Sequence, residues 1–196
     1  MATMNTDTKT RMTVDEFVTW CDARARQWRP SDEPGWELFD GEPVMQQSER
    51  WAHAQVKMAL YHALFDAIRQ SELPVEIAID SLGVRTSDRD LYEPDVVVFP
   101  AGLIEPDHLI APEPIIVAEV LSPSTTKLDL TTKLAGYSRV ETIAHYLVLD
   151  PDASELFHYR RVAGCWCRPT PRRRAPSRSI RPASPSTWPI ASNASG

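Results

Sequence analysis

Glu93-Pro94-Asp95-Val96-Val97-Val98-Phe99 and Ile115-Ile116-Val117-Ala118-Glu119-Val120-Leu121-Ser122-Pro123-Ser124 are the stretches that decide the fold. Each is a β-rich apolar run with one acid that packing alone does not call for. Asp95 opens the first, and Glu119 interrupts a run of Ile, Val, Ala and Leu. Continuous Val/Ile runs read as strands buried on both faces. A carboxylate inside such a strand must be paired, hydrogen-bonded or metal-bound. If the two strands are neighbours, both acids can face one pocket. There, two like charges about 4 Å apart repel by roughly 4 kcal/mol at an effective dielectric of about 20. A hard cation such as Mg²⁺ removes that repulsion and takes oxygen ligands. The plainer alternative is turn chemistry at Pro94-Asp95, with Glu119 facing solvent or an arginine.

The 196 residues suit one domain with a real core. No run reaches the roughly 20 apolar residues that span a bilayer, and Met1 to Thr10 lacks the apolar centre of a secretory signal. Cys21, Cys165 and Cys167 form no ligand set with a nearby histidine, and an odd count argues against a disulfide framework. A cytoplasmic, reduced protein is therefore expected. The net charge of −6 is unevenly spread. Six of the 21 basic side chains (Arg168, Arg172, Arg173, Arg174, Arg178 and Arg181) follow Arg161, and none of the 27 acids does. Residues 1–161 thus carry 15 basic and 27 acidic side chains, unlike a general polyanion binder, so any nucleic-acid contact must come from a local basic patch that the sequence does not locate.

Outward from the two strands, Thr13-Val14-Asp15-Glu16 has the form of a capping box opening a short amphipathic helix. Asp40-Gly41 lies between two strand-like runs and predicts a hairpin. On alternation alone, Glu37 in its first arm faces solvent. Ala52 to Gln70 reads as a helix with a wide buried stripe of Val56, Ala59, Leu60, Ala63, Leu64, Ala67 and Ile68. His53 in its first turn reads as a surface or capping residue. Pro74 to Arg85 reads as one strand, and Pro100 to Pro114 as a long connection. Ser122 to Thr126 supplies caps for a helix from about Lys127 to Val140. Asp129, Lys133 and Tyr137, four apart, share one side of it, although Asp129 and Lys133 are also an ordinary i, i+4 ion pair. Ala144 to Pro151 and the edge-like Glu155 to Val162 complete the strands.

Together these motifs resemble one family. Trp36-Glu37-Leu38-Phe39-Asp40-Gly41, Glu93-Pro94-Asp95-Val96, Glu119-Val120-Leu121-Ser122-Pro123-Ser124-Thr125, Asp129-x-x-x-Lys133-x-x-x-Tyr137 and Tyr146-Leu147-Val148-Leu149-Asp150-Pro151 follow in the order of the Uma-two family. Those are bacterial restriction-endonuclease-like proteins of the PD-(D/E)XK nuclease superfamily. The resemblance covers about residues 12–161. It implies an α/β (α+β) fold, a mixed β-sheet flanked by helices, with a metal-dependent phosphodiesterase site on the sheet. It also implies that Asp95, Glu119 and the carbonyl of Val120 hold Mg²⁺ or Mn²⁺, with Glu37 as an additional acid. Leu121 stands where the superfamily usually has lysine, and Lys133 from the following helix fits that role. His53 would line the site, and Asp129 and Tyr137 would position Lys133. Glu141-Thr142 stands where relatives tend to have Gly-Val, a departure that touches turn geometry and not chemistry.

The leading expectation is a metal-dependent endonuclease acting on nucleic acid, DNA before RNA by superfamily analogy, with no membrane partner and a homodimer left open. The alternatives are a non-catalytic interaction or regulatory module that keeps the fold, and a protein whose acids only form structural ion pairs. The expected organisation is a disordered stretch over 1–11, the nuclease-like domain over 12–162 and an irregular Pro/Arg-rich tail over 163–196. From about Gly164 the composition holds six of the 17 prolines, six arginines and no acid. A shifted reading frame is the expectation drawn from it. Ser179 to Gly196 admits GC-rich codons which, read two nucleotides later, encode an alternating Leu-rich run and a charged end. A genuine basic tail that touches nucleic acid is the alternative.

Overall fold

The computed structural model describes residues 11–25, 35–46, 48–122, 127–167 and 172–173. In chain order these form α1 (Val14–Ala25), β1 (Trp36–Phe39), β2 (Glu42–Met45), α2 (Trp51–Ser71), β3 (Val75–Ile79), β4 (Val84–Arg85) and β5 (Leu91–Tyr92). Then come β6 (Val96–Pro100), β7 (Ile116–Val120), α3 (Lys127–Arg139), β8 (His145–Asp150), β9 (Glu155–Val162), β10 (Cys165–Cys167) and β11 (Arg172–Arg173).

Local chemistry accounts for the first elements. The Thr13 amide and hydroxyl both donate to the Glu16 carboxylate, and the Glu16 amide donates back to the Thr13 hydroxyl, closing the capping box that starts α1. Asp40 and Gly41 both have positive φ, 46° and 79°, the pair that a tight hairpin between β1 and β2 requires. Val14 and Phe17 then bury α1 against Leu38 and Leu91.

Two sheets result. A small antiparallel sheet has the order β2-β1-β5-β4, and a large sheet has the order β10-β9-β8-β7-β6-β3 with β11 added on β9. The large sheet is mixed, because β7 and β8 run parallel while the neighbouring pairs are antiparallel. Parallel neighbours need a crossover, and α3 supplies it. Its Leu130, Leu134 and Tyr137 pack on the core of Tyr92, Val97, Phe99, Val117, Ile143, Tyr146 and Val148. The architecture is thus a mixed β-sheet flanked by helices, the expected class. Among the described residues no helix is long and apolar enough to cross a membrane.

Several local expectations need correction. Pro74 to Arg85 is not one strand: the chain turns at Asp80, φ 45°, and passes from β3 in the large sheet to β4 in the small one. Aspartate tolerates the left-handed region better than most residues, and its polar side chain is drawn away by a partner described below. The stripe on α2 is narrower than expected and only half-buried, at Val56, Leu60, Leu64 and Ile68. Lys57 is its one buried residue, while Met58 and Phe65 stay exposed and Ala59, Ala63 and Ala67 face out. Strand β9 is not a bare edge. The turn Ala163-Gly164, both at positive φ, returns the chain as β10, which pairs with Arg160 to Val162, and β11 pairs with Glu155 and Leu156. Trp166 of β10 packs on Tyr146 and Tyr159. Strand pairing therefore continues past residue 162. Residues 1–10, the expected caps Pro123 to Thr126, the side chain of Asp129 and the rest of the tail from residue 168 lie outside the described residues.

Candidate metal centre

The site grows out of the register between β6 and β7. Val96 pairs with Ala118 on the antiparallel partner, so one step on, Asp95 stands opposite Glu119. Residues opposite one another on antiparallel strands project to the same face. Both carboxylates line a cleft of about 1290 Å³ between the two sheets, together with Glu37, Glu49, His53, Lys57, Asp80, Glu93 and Lys133. The strands that supply the acids are buried on either side, with Val97, Val98, Val117 and Ala118 at 2% exposure or less. Their rigidity fixes where the acids point.

One wall of the cleft is built on α3. Lys133 reaches in from the helix, its ammonium 2.9 Å from Glu37 and 3.0 Å from Glu119. One turn on, the Tyr137 hydroxyl donates to the same Glu119 oxygen at 2.8 Å. Tyr137 and Lys133 thus share one oxygen of Glu119. Glu37 is not solvent-facing, as alternation suggested: it is 9% exposed and accepts the Glu93 amide at 2.8 Å. In β1 the face opposite Leu38 looks into the cleft and not into water, so both faces are covered.

The other wall is built on α2. His53 and Lys57, four apart, share one side of the helix, and Glu49, two residues before its start, reaches both. His53 Nε2 lies 2.6 Å from the Val120 carbonyl and 3.6 Å from Asp95, and its Nδ1 lies 2.5 Å from Glu49. A carbonyl and an ionised carboxylate only accept, so this geometry suits an imidazolium whose two N–H groups both donate. His53 is not the surface or capping histidine that its position suggested. The Asp95 carboxylate also accepts the Val120 amide at 2.6 Å.

The titration shifts follow from burial and from these partners. Burial, joined by the charges of Asp95 and Glu37 and opposed by Lys133, pushes Glu119 up to about 7. Burial, with Glu37 and Asp80 adding, lifts Glu93 likewise to about 7. Burial also holds Asp95 above the usual carboxylate range, against the pull of the Val120 amide, His53 and Lys57. For the cations the order reverses. Burial opposes the charge on His53, yet the hydrogen bond to Glu49 and the Asp95 charge raise it. Burial opposes Lys133 too, and Glu119 and Glu37 outweigh it, leaving the ammonium firmly charged.

This donor set fits a hard divalent cation. Asp95, Glu119 and the Val120 carbonyl offer oxygens, and Glu49, His53 and Asp95 bring one ligand atom each within 4.8 Å of one another. The expected residues Asp95, Glu119, Val120, Glu37, Lys133 and His53 all line this one cleft. Glu49, Lys57, Asp80 and Glu93 were missed. The i, i+4, i+8 run of Glu49, His53 and Lys57 was the signal for two of them, and Glu93 lies two residues before Asp95.

A mixed sheet with helices on its flanks, and acids on one face where two of its strands start and end, is consistent with a PD-(D/E)XK-like fold. The chain belongs to the Uma2 family, described as "Putative restriction endonuclease", which it matches over residues 14–191. That match crosses Gly164 and runs well into the basic tail. Among solved structures, the chain is similar to a "putative nuclease belonging to DUF820" from Anabaena variabilis. The TM-score is 0.56 at 20% sequence identity, covering 76% of this chain and 79% of that one. No curated protein matches the chain. What stands is a nuclease-family fold with a His/Asp/Glu cluster able to coordinate a metal.

Proposed function

We propose that this protein is an endonuclease that hydrolyses phosphodiester bonds of DNA with the help of Mg²⁺ or Mn²⁺. The observation that carries the reading is the placement of Asp95 and Glu119 on one face of the cleft, with the Lys133 ammonium held there by Glu37 and Glu119. Asp95, Glu119 and the Val120 carbonyl would hold the ion. A bound divalent ion polarises the phosphate and lowers the pKa of a bound water. Lys133 offsets the charge that grows on the phosphate oxygens in the transition state. Glu37 and Tyr137 hold that ammonium and the Glu119 carboxylate in place, and His53 would yield its Nε2 proton to act as a ligand beside Asp95. DNA is favoured because the family description and the Anabaena structure name a restriction endonuclease and a nuclease.

The test is Mn²⁺ calorimetry together with metal-dependent cleavage of a panel of DNA substrates, for wild type and Asp95→Ala. Wild type is expected to bind Mn²⁺ and cut, and the variant to do neither. Unchanged Mn²⁺ affinity in the variant would remove Asp95 from the site. A second reading, that the acids form structural ion pairs only, is favoured by one observation: both Lys57 and Lys133 are already paired with carboxylates. Absence of Mn²⁺ binding by wild type would support it. Binding without cleavage of any substrate would support a module that keeps the fold without turnover.

A further inference from the structure

The α2 wall holds a cation that the reaction as proposed does not use. Lys57 is 5% exposed, and its ammonium lies 2.5 Å from Glu49, 2.5 Å from Asp80 and 3.8 Å from Asp95. A buried ammonium is tolerated only among compensating charges, and here three carboxylates supply them. Two of those, Glu49 and Asp95, also belong to the group able to hold a metal. Lys57 is therefore seated among donors that a cation would otherwise take. Enzymes that cut phosphodiesters with two ions place them roughly 3.5–4 Å apart on shared carboxylates. Asp95 is such a shared acid, with His53 and the Val120 amide at one oxygen and Lys57 at the other.

We propose that the Lys57 ammonium is the permanent occupant of the second cation position, so that the cleft takes one divalent ion and not two. The inference rests on the metal dependence proposed above. Asp80 then serves to hold Lys57.

The experiment counts Mn²⁺ bound per full-length chain, by the electron-spin-resonance signal of free Mn²⁺ during titration, for wild type, Lys57→Met and Asp80→Asn. Expected are one ion for wild type, one for Asp80→Asn with affinity within about threefold, and two for Lys57→Met. Two ions on wild type, loss of an ion from Asp80→Asn, or a single ion on folded Lys57→Met would each overturn the proposal. If Lys57→Met does not fold, the wild-type and Asp80→Asn counts decide alone. No Mn²⁺ on any of the three would end the metal dependence itself and this inference with it, an outcome distinct from two ions on wild type.

Discussion

The two walls of the cleft each carry a lysine between two close carboxylates, but what backs those carboxylates differs. On the α3 wall, Lys133 meets Glu37 and Glu119, acids rooted in β1 and β7 and backed by the buried core through Tyr137. On the α2 wall, Lys57 meets Glu49 and Asp80, which sit at the mouth of the cleft, one just before a helix and the other at a turn between sheets. Exposure follows the same division: the side chains of Glu37 and Glu119 are 11% and 12% exposed, those of Glu49 and Asp80 33% and 48%. The lysines themselves run the other way, with 13% of the Lys133 side chain exposed and 6% of that of Lys57, so the contrast lies in the acids. Acids that water screens less hold an ammonium more firmly where negative charge develops.

The largest test of that contrast is Lys133→Met. It should lower cleavage by about 10²–10³-fold, as loss of one preorganised charge stabiliser does elsewhere, while Mn²⁺ still binds. Single-turnover rates and calorimetry measure both, and a variant that cuts like wild type would abolish the distinction between the walls.

Next in size is the response to pH. Glu93 and Glu119 stand at about 7 in the folded chain, against an ordinary value of 4.5. Between those two values the folded state keeps protons that the unfolded chain has released. Their stabilising contribution is therefore complete below about pH 4.5 and is lost as the pH rises through about 7. His53, raised above its usual value, shifts stability in the same direction. Thermal melts in EDTA should show a Tm that falls from pH 5 to pH 8, and Mn²⁺ should restore more at pH 8 than at pH 5. Glu119→Gln should flatten the profile, and an unchanged slope would locate the effect outside the α3 wall.

The smallest effect belongs to Tyr137→Phe. Deleting its hydroxyl removes one hydrogen bond to a buried carboxylate and should cost about 1 kcal/mol, a Tm change of roughly 2–4 °C for a domain of this size. Urea melts would show it, and a loss no greater than that of a surface substitution would make the Glu119 contact incidental.

The features legible in the sequence were those written in local chemistry. Thr13 with Glu16, and Asp40 with Gly41, carry their geometry within four residues. The runs around Asp95 and Glu119 announce buried strands, because apolar β-branched residues continue on both faces. What stayed hidden depended on a second element. Glu37 alternates like a solvent-facing residue, and only the presence of β7 and α3 opposite turns that face into a cleft. Lys57 sits in an apolar helix as though it were its polar edge, and nothing nearby in sequence shows that Asp80 will meet it. The strand through Pro74 to Arg85 failed at Asp80 because the ion pair and the left-handed turn outweigh strand propensity. For the tail, a reading frame shifted near Gly164 remains our proposal, set against a family match that reaches residue 191. Sequencing the coding DNA decides it: a shifted frame that encodes no Leu-rich strand ends the idea.

The topology of the cleft also sets when it can exist. Its acids and bases come from β1, the start of α2, the turn after β3, the strands β6 and β7, and the crossover helix α3. The parallel pair β7–β8 can form only once α3 has crossed between them, and such long-range pairings are costly to close before they are rewarded. No early folding intermediate or single fragment would therefore hold the constellation. A ligand that needs all of it acts only on the finished fold. It should slow unfolding while leaving the refolding rate nearly unchanged. Stopped-flow refolding and unfolding with and without Mn²⁺ would show the effect on one limb of the chevron alone.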